Sequence, residues 1–122
     1  MEKKKILVVD DDINQGLLYE QELVDEGYAV DVANSGEKAL EMVTDHPYDL
    51  VILDIGMPYM DGLETLGKML SMDNRLPVIL NTAYPSYKDN FMSWAADAYV
   101  VKSSDLTELK EKIGESLVKR GI

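Results

Sequence analysis

The sequence predicts an α/β fold in which a parallel β-sheet is covered by helices on both faces. Short apolar runs alternate five times with segments of helical period, which is the order of repeated β-α units. The run at Asp49–Asp54 has a continuous apolar centre, a pattern typical of a strand that is buried on both faces. The chain has 122 residues, so we expect a single domain over 1–122.

The first β-α unit begins at Ile6. A short branched run, Ile6–Val9, predicts strand one, and three aspartates follow it directly. Helical spacing then begins at Ile13 and continues to about Glu26, and Gly27 suits the position just past the last turn. We expect the inner face of this helix to contain Ile13, Leu17 and Val24, beside Leu18 and Leu23.

The remaining units repeat this pattern. Asn34 or Ser35 can cap the second helix, and Ser103, Ser104 or Asp105 can cap the last one. The remaining predicted strands are strand two at Tyr28–Ala33, the central strand at Asp49–Asp54, strand four at Pro77–Thr82 and strand five at Asp97–Lys102. Helices are predicted from about Gly62 to Met72 and at Tyr84–Ala96. The second helix should present Ala39, Leu40 and Val43 inward, and the last helix, which ends at Gly121, should present Leu106, Leu109, Ile113 and Leu117 inward.

Polar side chains follow the predicted strands. Five parallel strands with right-handed crossovers suit the flavodoxin-like order 2-1-3-4-5, a (βα)5 three-layer sandwich. That order makes strands one and three neighbours, so Asp10, Asp11 and Asp54 should meet at the carboxyl edge of the sheet. Thr82 and Lys102 end strands four and five on the same side, where open α/β sheets bind their ligands.

This set of residues suits phosphoryl transfer. Three carboxylates cannot all stay ionised unaided, because like charges at about 4 Å cost several kcal/mol at an effective dielectric near 20. A bound Mg²⁺ would compensate the repulsion between the carboxylates, and it prefers oxygen ligands. A hydroxyl from Thr82 and an ammonium from Lys102 could contact an incoming phosphate, and an aspartate carboxylate can act as the nucleophile. The simpler interpretation of Asp12 is that it caps the first helix.

Composition narrows the class of protein. A formal net charge of -11 argues against nucleic acid or an anionic membrane as a direct partner. With no cysteine and a single histidine, His46, which we place on the surface, a zinc or copper site is not expected. No apolar run reaches the roughly 20 residues that span a bilayer, and the run after Lys5 is too short for a signal peptide. We therefore expect a cytoplasmic protein without an organic cofactor.

Four segments carry a resemblance to a known family. They are Ile6–Asp12, Asp49–Pro58 with Asp61-Gly62, Val78–Tyr84 and Ala98–Lys102. Over nearly its whole length the chain closely resembles the receiver (REC) domain of two-component response regulators, in the CheY-like superfamily.

The resemblance implies a role for each matching residue. Asp54 would be the phosphoacceptor, phosphorylated by the phosphohistidine of a sensor histidine kinase or phosphotransfer protein. Asp11 would bind Mg²⁺ directly and Asp10 largely through water, and the backbone carbonyl of Gly56 would be a further ligand. Thr82 and Lys102 would contact the phosphoryl oxygens.

The resemblance also implies an output. Thr82 would move toward the phosphoryl group, and Tyr99, at the family's switch position, would turn inward. The face formed by the predicted fourth helix, strand five and the last helix would then change its affinity for a downstream protein or a second copy of the chain.

Three positions depart from the family's pattern. Lys102 precedes Ser103, where the family usually has a proline and often a cis bond. A cis bond before a non-proline residue costs about 3–4 kcal/mol, so we expect a trans or a strained cis bond. Tyr59 stands where glycine is common, which favours a type I or distorted turn. Asn81 brings an amide into an apolar strand and needs a hydrogen-bond partner.

Three other functions are compatible with parts of the pattern. The Asp10-Asp11-Asp12 run contains the Asp-x-Asp spacing of haloacid dehalogenase-type phosphatases, although Asn14 departs from that motif and Asp54 has no role there. A flavodoxin-like FMN protein would need a phosphate-binding loop in place of the three aspartates. A receiver-shaped interaction module that is never phosphorylated is the third alternative, and the Lys102-Ser103 departure is its only support.

Overall fold

The computed structural model describes residues 3–54, 62–83 and 96–119, with only the backbone described at 62 and 63. Five parallel strands form one sheet in the order β2-β1-β3-β4-β5, which confirms the predicted topology. The described elements are β1 (Lys5–Val9), α1 (Ile13–Asp25), β2 (Ala29–Ala33), α2 (Gly36–Asp45), β3 (Leu50–Leu53), α3 (Gly62–Met72), β4 (Val78–Thr82), β5 (Ala98–Val101) and α4 (Thr107–Lys119).

Both faces of the sheet are buried. Successive residues of β1 point to opposite sides, so Ile6 and Val8 join one apolar cluster while Leu7 and Val9 join the other. The first cluster is covered by α1 and α4, and the second by α2 and α3. All four residues of β3 are fully buried, as the continuous apolar run predicted.

The predicted inner face of α1 is wrong in part. Leu23 is buried, but Ile13 is 65% exposed and Leu17 is 54% exposed, and Leu18 and Val24 are exposed as well. The helix instead packs through Gly16, Tyr19 and Leu23. A Cβ on Gly16 would lie 2.8 Å from Cγ1 of Val32, so α1 approaches β2 too closely for any larger residue. The glycine permits this close approach, and the Gly16–Tyr19–Leu23 row faces the sheet.

Side chains cap the helices largely as expected. Asp12 caps α1 by accepting from the amide of Asn14 at 2.9 Å, which confirms its predicted role. Ser35, and not Asn34, caps α2 through the amide of Lys38 at 3.1 Å. Of the three candidates before α4, Asp105 accepts from the amide of Thr107 at 2.9 Å.

Gly27 follows α1 with a φ of 99°, the left-handed conformation that glycine adopts without strain. His46 is exposed, as predicted. Within the described residues, no helix has the length and apolarity that crossing a bilayer demands. The predicted helix at Tyr84–Ala96, apart from Ala96 itself, the turn at Tyr59 and the helix end at Gly121 lie outside the described residues.

Candidate functional site

The neighbouring strands β1 and β3 bring the predicted carboxylates together. Val9 pairs with Leu53, and the amide of Asp54 donates to the carbonyl of Val9 at 3.0 Å. Asp10 and Asp54 therefore leave the sheet side by side, and both are buried. Asp11 is exposed next to them, and carboxylate oxygens of all three residues lie within 4.8 Å of one another.

Lys102 joins this cluster from the end of β5. Its Nζ donates to Oδ2 of Asp10 at 2.7 Å and to Oδ2 of Asp54 at 3.1 Å. The bond between Lys102 and Ser103 is trans, and no cis bond occurs within the described residues. This outcome is one of the two that the sequence allowed. Ser103 in the place of a proline therefore does not prevent Lys102 from contacting Asp10 and Asp54.

Burial and charge oppose each other in this cluster. Burial raises the pKa of the Asp10 carboxyl, and hydrogen bonds from Lys102 and from the amide of Asp12 offset only part of that rise. Burial by itself would lower the pKa of Lys102, but the hydrogen bond to Asp10 and the charge of Asp54 raise it overall. The ammonium therefore stays charged at neutral pH and compensates the two carboxylates.

The two predicted switch residues lie on β4 and β5. Thr82 is fully buried at the end of β4, and its carbonyl accepts from the amide of Lys102 at 2.7 Å. Tyr99 lies beside Leu80 in the strand register and is half-buried against the α2–α3 cluster. Gly56, the expected backbone ligand, lies outside the described residues.

Asn81 and Tyr19 are both buried, at 3% and 1% exposure. Burial raises the pKa of Tyr19, and an interaction with the Asn81 side chain offsets part of that rise. Within the described residues no buried side-chain nitrogen or oxygen lacks a hydrogen-bond partner, as expected for Asn81. The sequence did not indicate that Tyr19 acts together with Asn81, although its spacing from Gly16 and Leu23 matches one buried helical face.

The donor set fits a hard divalent cation. Its oxygens all come from carboxylates, with two buried residues and one exposed residue that leaves an approach from solvent. Mg²⁺ is commonly held by one or two carboxylates together with water and phosphate. Asp12 is not available in the same way, because its carboxylate accepts from the amides of Asn14 and Gln15 at the start of α1.

Comparison with known proteins places this site in a family. The family model for the response regulator receiver domain matches residues 6–114. The transcriptional regulatory protein ZraR of Klebsiella oxytoca is 40% identical over 119 residues, which cover 95% of this chain and 27% of ZraR.

Three solved structures show the same fold at high similarity. The response regulator TrrA of Thermotoga maritima, in complex with Mg²⁺-BeF, superposes with a TM-score of 0.91 at 49% identity and covers 93% of this chain and 98% of its own. A second structure of TrrA holds it in complex with the histidine kinase ThkA. A CheY-like receiver domain protein of Methanospirillum hungatei gives a TM-score of 0.93 at 33% identity, covering 98% of both chains.

The match concerns a domain and not the full length of the regulators. This chain spans 27%, 50% and 54% of ZraR, of PcoR from Escherichia coli and of YkoG from Bacillus subtilis. In all three the match covers at least 90% of this chain. The family model likewise covers most of the chain, and the strand order and the acidic edge agree with it. The chain therefore belongs to the response regulator receiver domains of two-component systems.

Proposed function

We propose that this chain is a phosphorylation switch in which Asp54 accepts a phosphoryl group in a Mg²⁺-dependent reaction. The observation that carries the proposal is the contact of one ammonium, Lys102 Nζ, with both Asp10 and Asp54. Such a cluster pairs a carboxylate nucleophile with a cation that can neutralise charge developing beside it. The whole chain, 1–122, would act as one receiver domain in the cytoplasm.

The residues have distinct parts in the reaction. An oxygen of Asp54 attacks the phosphorus of a phosphohistidine, the phosphorus–nitrogen bond breaks and the imidazole leaves with the bonding electrons. Lys102 stays beside the acceptor oxygen and pairs with the transferred group. Thr82 donates its hydroxyl to a phosphoryl oxygen. Asp10, Asp11, Asp54 and the backbone carbonyl of Gly56 would hold Mg²⁺, which would supply further charge neutralisation.

The donor and the output follow from the same family relationship. The ThkA–TrrA complex supports a histidine kinase as the phosphoryl donor for this chain as well, and a phosphotransfer protein has the same chemistry. Phosphorylation would draw Thr82 toward the phosphoryl group and let Tyr99 turn inward. The face of β5, α4 and the 84–96 segment would then change its affinity for a downstream protein or a second copy. The chain is then a phosphoacceptor that assists its own phosphorylation and dephosphorylation, and not an enzyme with an external product.

The alternative of a phosphorylation-silent module is disfavoured. Its only support is the Lys102-Ser103 departure, and Lys102 contacts both acids across a trans bond. The phosphatase alternative is also disfavoured, because Asp12 is engaged as a helix cap. We therefore favour the switch.

Intact mass spectrometry tests the proposal. The protein is incubated with Mg²⁺ and acetyl phosphate, and we expect one added phosphoryl group. The addition should disappear with a chelator and in Asp54→Asn. The matched control is Asp49→Asn, at the opposite end of the same strand, where the carboxylate accepts from the amide of Lys5 at 2.8 Å. That variant should be phosphorylated normally. A folded wild-type protein without any added mass would overturn the proposal.

A further inference from the structure

Two adjoining cavities lie at the amino-terminal edge of the sheet, opposite the carboxylate cluster. The larger has a volume of about 600 Å³ and is lined in part by Asp49 and Pro77, which immediately precede β3 and β4. The smaller has a volume of about 360 Å³ and is lined in part by the last turns of α2 and α3. The cavities share Tyr48, Asp73 and Leu76, so together they form one groove, the amino-edge groove. Both volumes lie in the range of small-molecule sites, about 300–1,000 Å³.

One end of this groove is apolar. The smaller cavity is lined by Val43 of α2 and by Met69 and Met72 of α3. Met69 is buried, whereas Met72 is 50% exposed, so a large apolar side chain is open to solvent here. Methionine is flexible and packs against ligands of irregular shape. The residues that continue into the larger cavity include the buried Leu76 and the half-buried Tyr48. This end of the groove therefore suits the hydrocarbon part of a ligand.

The other end of the groove carries two cations. Arg75 follows α3 and Lys119 ends α4, and both are exposed and line the larger cavity. Among the residues that the structure describes, neither side chain has a salt bridge or a hydrogen bond. The helix dipole favours a lysine in the last turn of a helix, but that effect does not bring cations from two separate segments to one cavity.

The two acids that line the larger cavity are already engaged. Oδ2 of Asp49 accepts from the amide of Lys5 at 2.8 Å, and Oδ1 of Asp73 accepts from the amide of Arg75 at 3.0 Å. These amides compensate part of the negative charge of the acids. In the larger cavity, the charged side chains that have no partner within the described residues are those of Arg75 and Lys119. This imbalance favours an anionic ligand.

We propose that the amino-edge groove binds a small amphipathic anion, an organic carboxylate with an apolar chain. The carboxylate would pair with Arg75 and Lys119, because a guanidinium can donate two hydrogen bonds to one carboxylate. The chain would lie over Tyr48 and Leu76 and reach Met72 in the smaller cavity. This inference does not depend on phosphorylation, since Asp54 lies at the opposite end of β3.

A titration of the isotope-labelled full chain with decanoate tests the proposal, read by the amide shifts in ¹H–¹⁵N spectra. We expect saturable shifts at Tyr48, Leu76 and Lys119. Three further probes separate charge from apolarity, namely decan-1-ol, decylamine and acetate. Because charge-assisted hydrogen bonds and the apolar chain both contribute, we expect each of them to bind at least about tenfold more weakly than decanoate. Decan-1-ol or decylamine that binds as tightly as decanoate would overturn the inference, and so would shifts confined to another surface.

Substitutions at the two ends of the groove test the residues. Arg75→Gln and Lys119→Gln should each weaken decanoate binding about fivefold, since an exposed ion pair contributes up to about 1 kcal/mol. Met72→Gln should weaken decanoate binding without changing the weak binding of acetate, because it makes the apolar end polar. All three side chains are exposed, so we expect the urea midpoints to stay close to that of the wild type.

Two control variants make the test specific. Lys38→Gln removes the same unit charge at an exposed lysine that pairs with Glu41 at 3.9 Å on α2, outside the groove, and should bind decanoate like the wild type. An equal loss of affinity in Lys38→Gln would assign the effect to net charge and overturn the inference. Asp54→Asn should also bind decanoate normally, whether or not the wild type takes up a phosphoryl group. A loss of decanoate binding in Asp54→Asn would place the ligand at the carboxyl edge and refute the groove.

Discussion

The Nζ of Lys102 lies 2.7 Å from Oδ2 of Asp10 and thereby joins the end of β5 to the end of β1 across two intervening strands. The same nitrogen also contacts Asp54 at the end of β3. One ammonium therefore compensates two carboxylates that are 2% and 9% exposed. Buried charges of one sign require a cation nearby, so this contact stabilises the two buried carboxylates in the folded protein.

Replacing Lys102 should destabilise the metal-free protein. Lys102→Met leaves Asp10 and Asp54 without their shared cation, and we expect the free energy of unfolding at neutral pH to fall by about 2–4 kcal/mol. Added Mg²⁺ should stabilise this variant more than the wild type, because the ion then replaces the positive charge that the ammonium supplied. Urea unfolding with a chelator and with Mg²⁺ measures both effects.

An exposed lysine serves as the control for that change. Lys112→Met removes an ion pair with Glu115 at 3.4 Å on the surface of α4, and such pairs contribute about 0–1 kcal/mol. A Lys102→Met protein that is as stable as the wild type in chelator would contradict the prediction.

The pH dependence of stability should have opposite signs at two aspartates. The pKa of Asp10 is raised by burial, so its contribution to stability is complete below an ordinary aspartate pKa of 3.8 and is lost as the pH rises through the raised value. The pKa of Asp105 is lowered by its hydrogen bonds with Thr107, so its contribution is present above 3.8 and is lost as the pH falls through the lowered value.

Urea unfolding between about pH 3.5 and pH 7 compares the two sites. Relative to the wild type, Asp10→Asn should gain stability as the pH rises over this range, whereas Asp105→Asn should lose it. Parallel pH profiles for the two variants would be inconsistent with these opposite shifts.

The neighbouring residues Asp11 and Asp12 should have different roles, Asp11 as a cation ligand and Asp12 as a helix cap. Asp12 accepts from the amides of Asn14 and Gln15, so Asp12→Ala should cost about 1 kcal/mol of stability and leave Mg²⁺ affinity nearly unchanged. Asp11 is exposed and its carboxylate faces Asp10 and Asp54, so Asp11→Ala should abolish most Mg²⁺ binding with little loss of stability. Calorimetric titration and urea unfolding of both variants test this division, which an equal loss of Mg²⁺ affinity would refute.

Gly16 should not tolerate even a methyl group. Alanine gains about 1 kcal/mol over glycine in a helix, but here its Cβ would meet Val32 Cγ1 at 2.8 Å. Because a β-branched side chain cannot easily move aside, we expect a net loss of about 1–2 kcal/mol for Gly16→Ala. At Gly114, in α4, the added Cβ meets no atom of the described residues within 4 Å apart from the neighbouring backbone of the helix, and Gly114→Ala should stabilise the protein.

The Gly16 prediction can be checked further by thermal or urea unfolding. If the clash is with Val32, combining Gly16→Ala with Val32→Ala should cost less than the sum of the two single changes. Strict additivity would place the cause of the loss elsewhere.

Some features of the fold could be predicted because they depend on local patterns. The apolar run Val51–Leu53 predicted a fully buried strand, and the alternation of strands and helices predicted a parallel sheet. The inner face of α1 was harder, because Ile13 and Leu17 fit a helical stripe as well as Gly16 and Tyr19 do. Hydrophobicity favoured the wrong row, since the decisive factor is how closely the helix approaches β2 at Gly16.

The sequence by itself determined the strand order and the convergence of Asp10, Asp11 and Asp54, because parallel β-α units bring the carboxyl ends of their strands to one edge. It also indicated that Asn81 needs a partner, since a buried amide must be hydrogen-bonded. Only the tertiary structure decided that Tyr19 is buried in the row with Gly16 and Leu23 and that Lys102 contacts two acids at once. These contacts depend on the separation of α1 from the sheet and on the direction of individual side chains, which residue spacing along the chain does not specify.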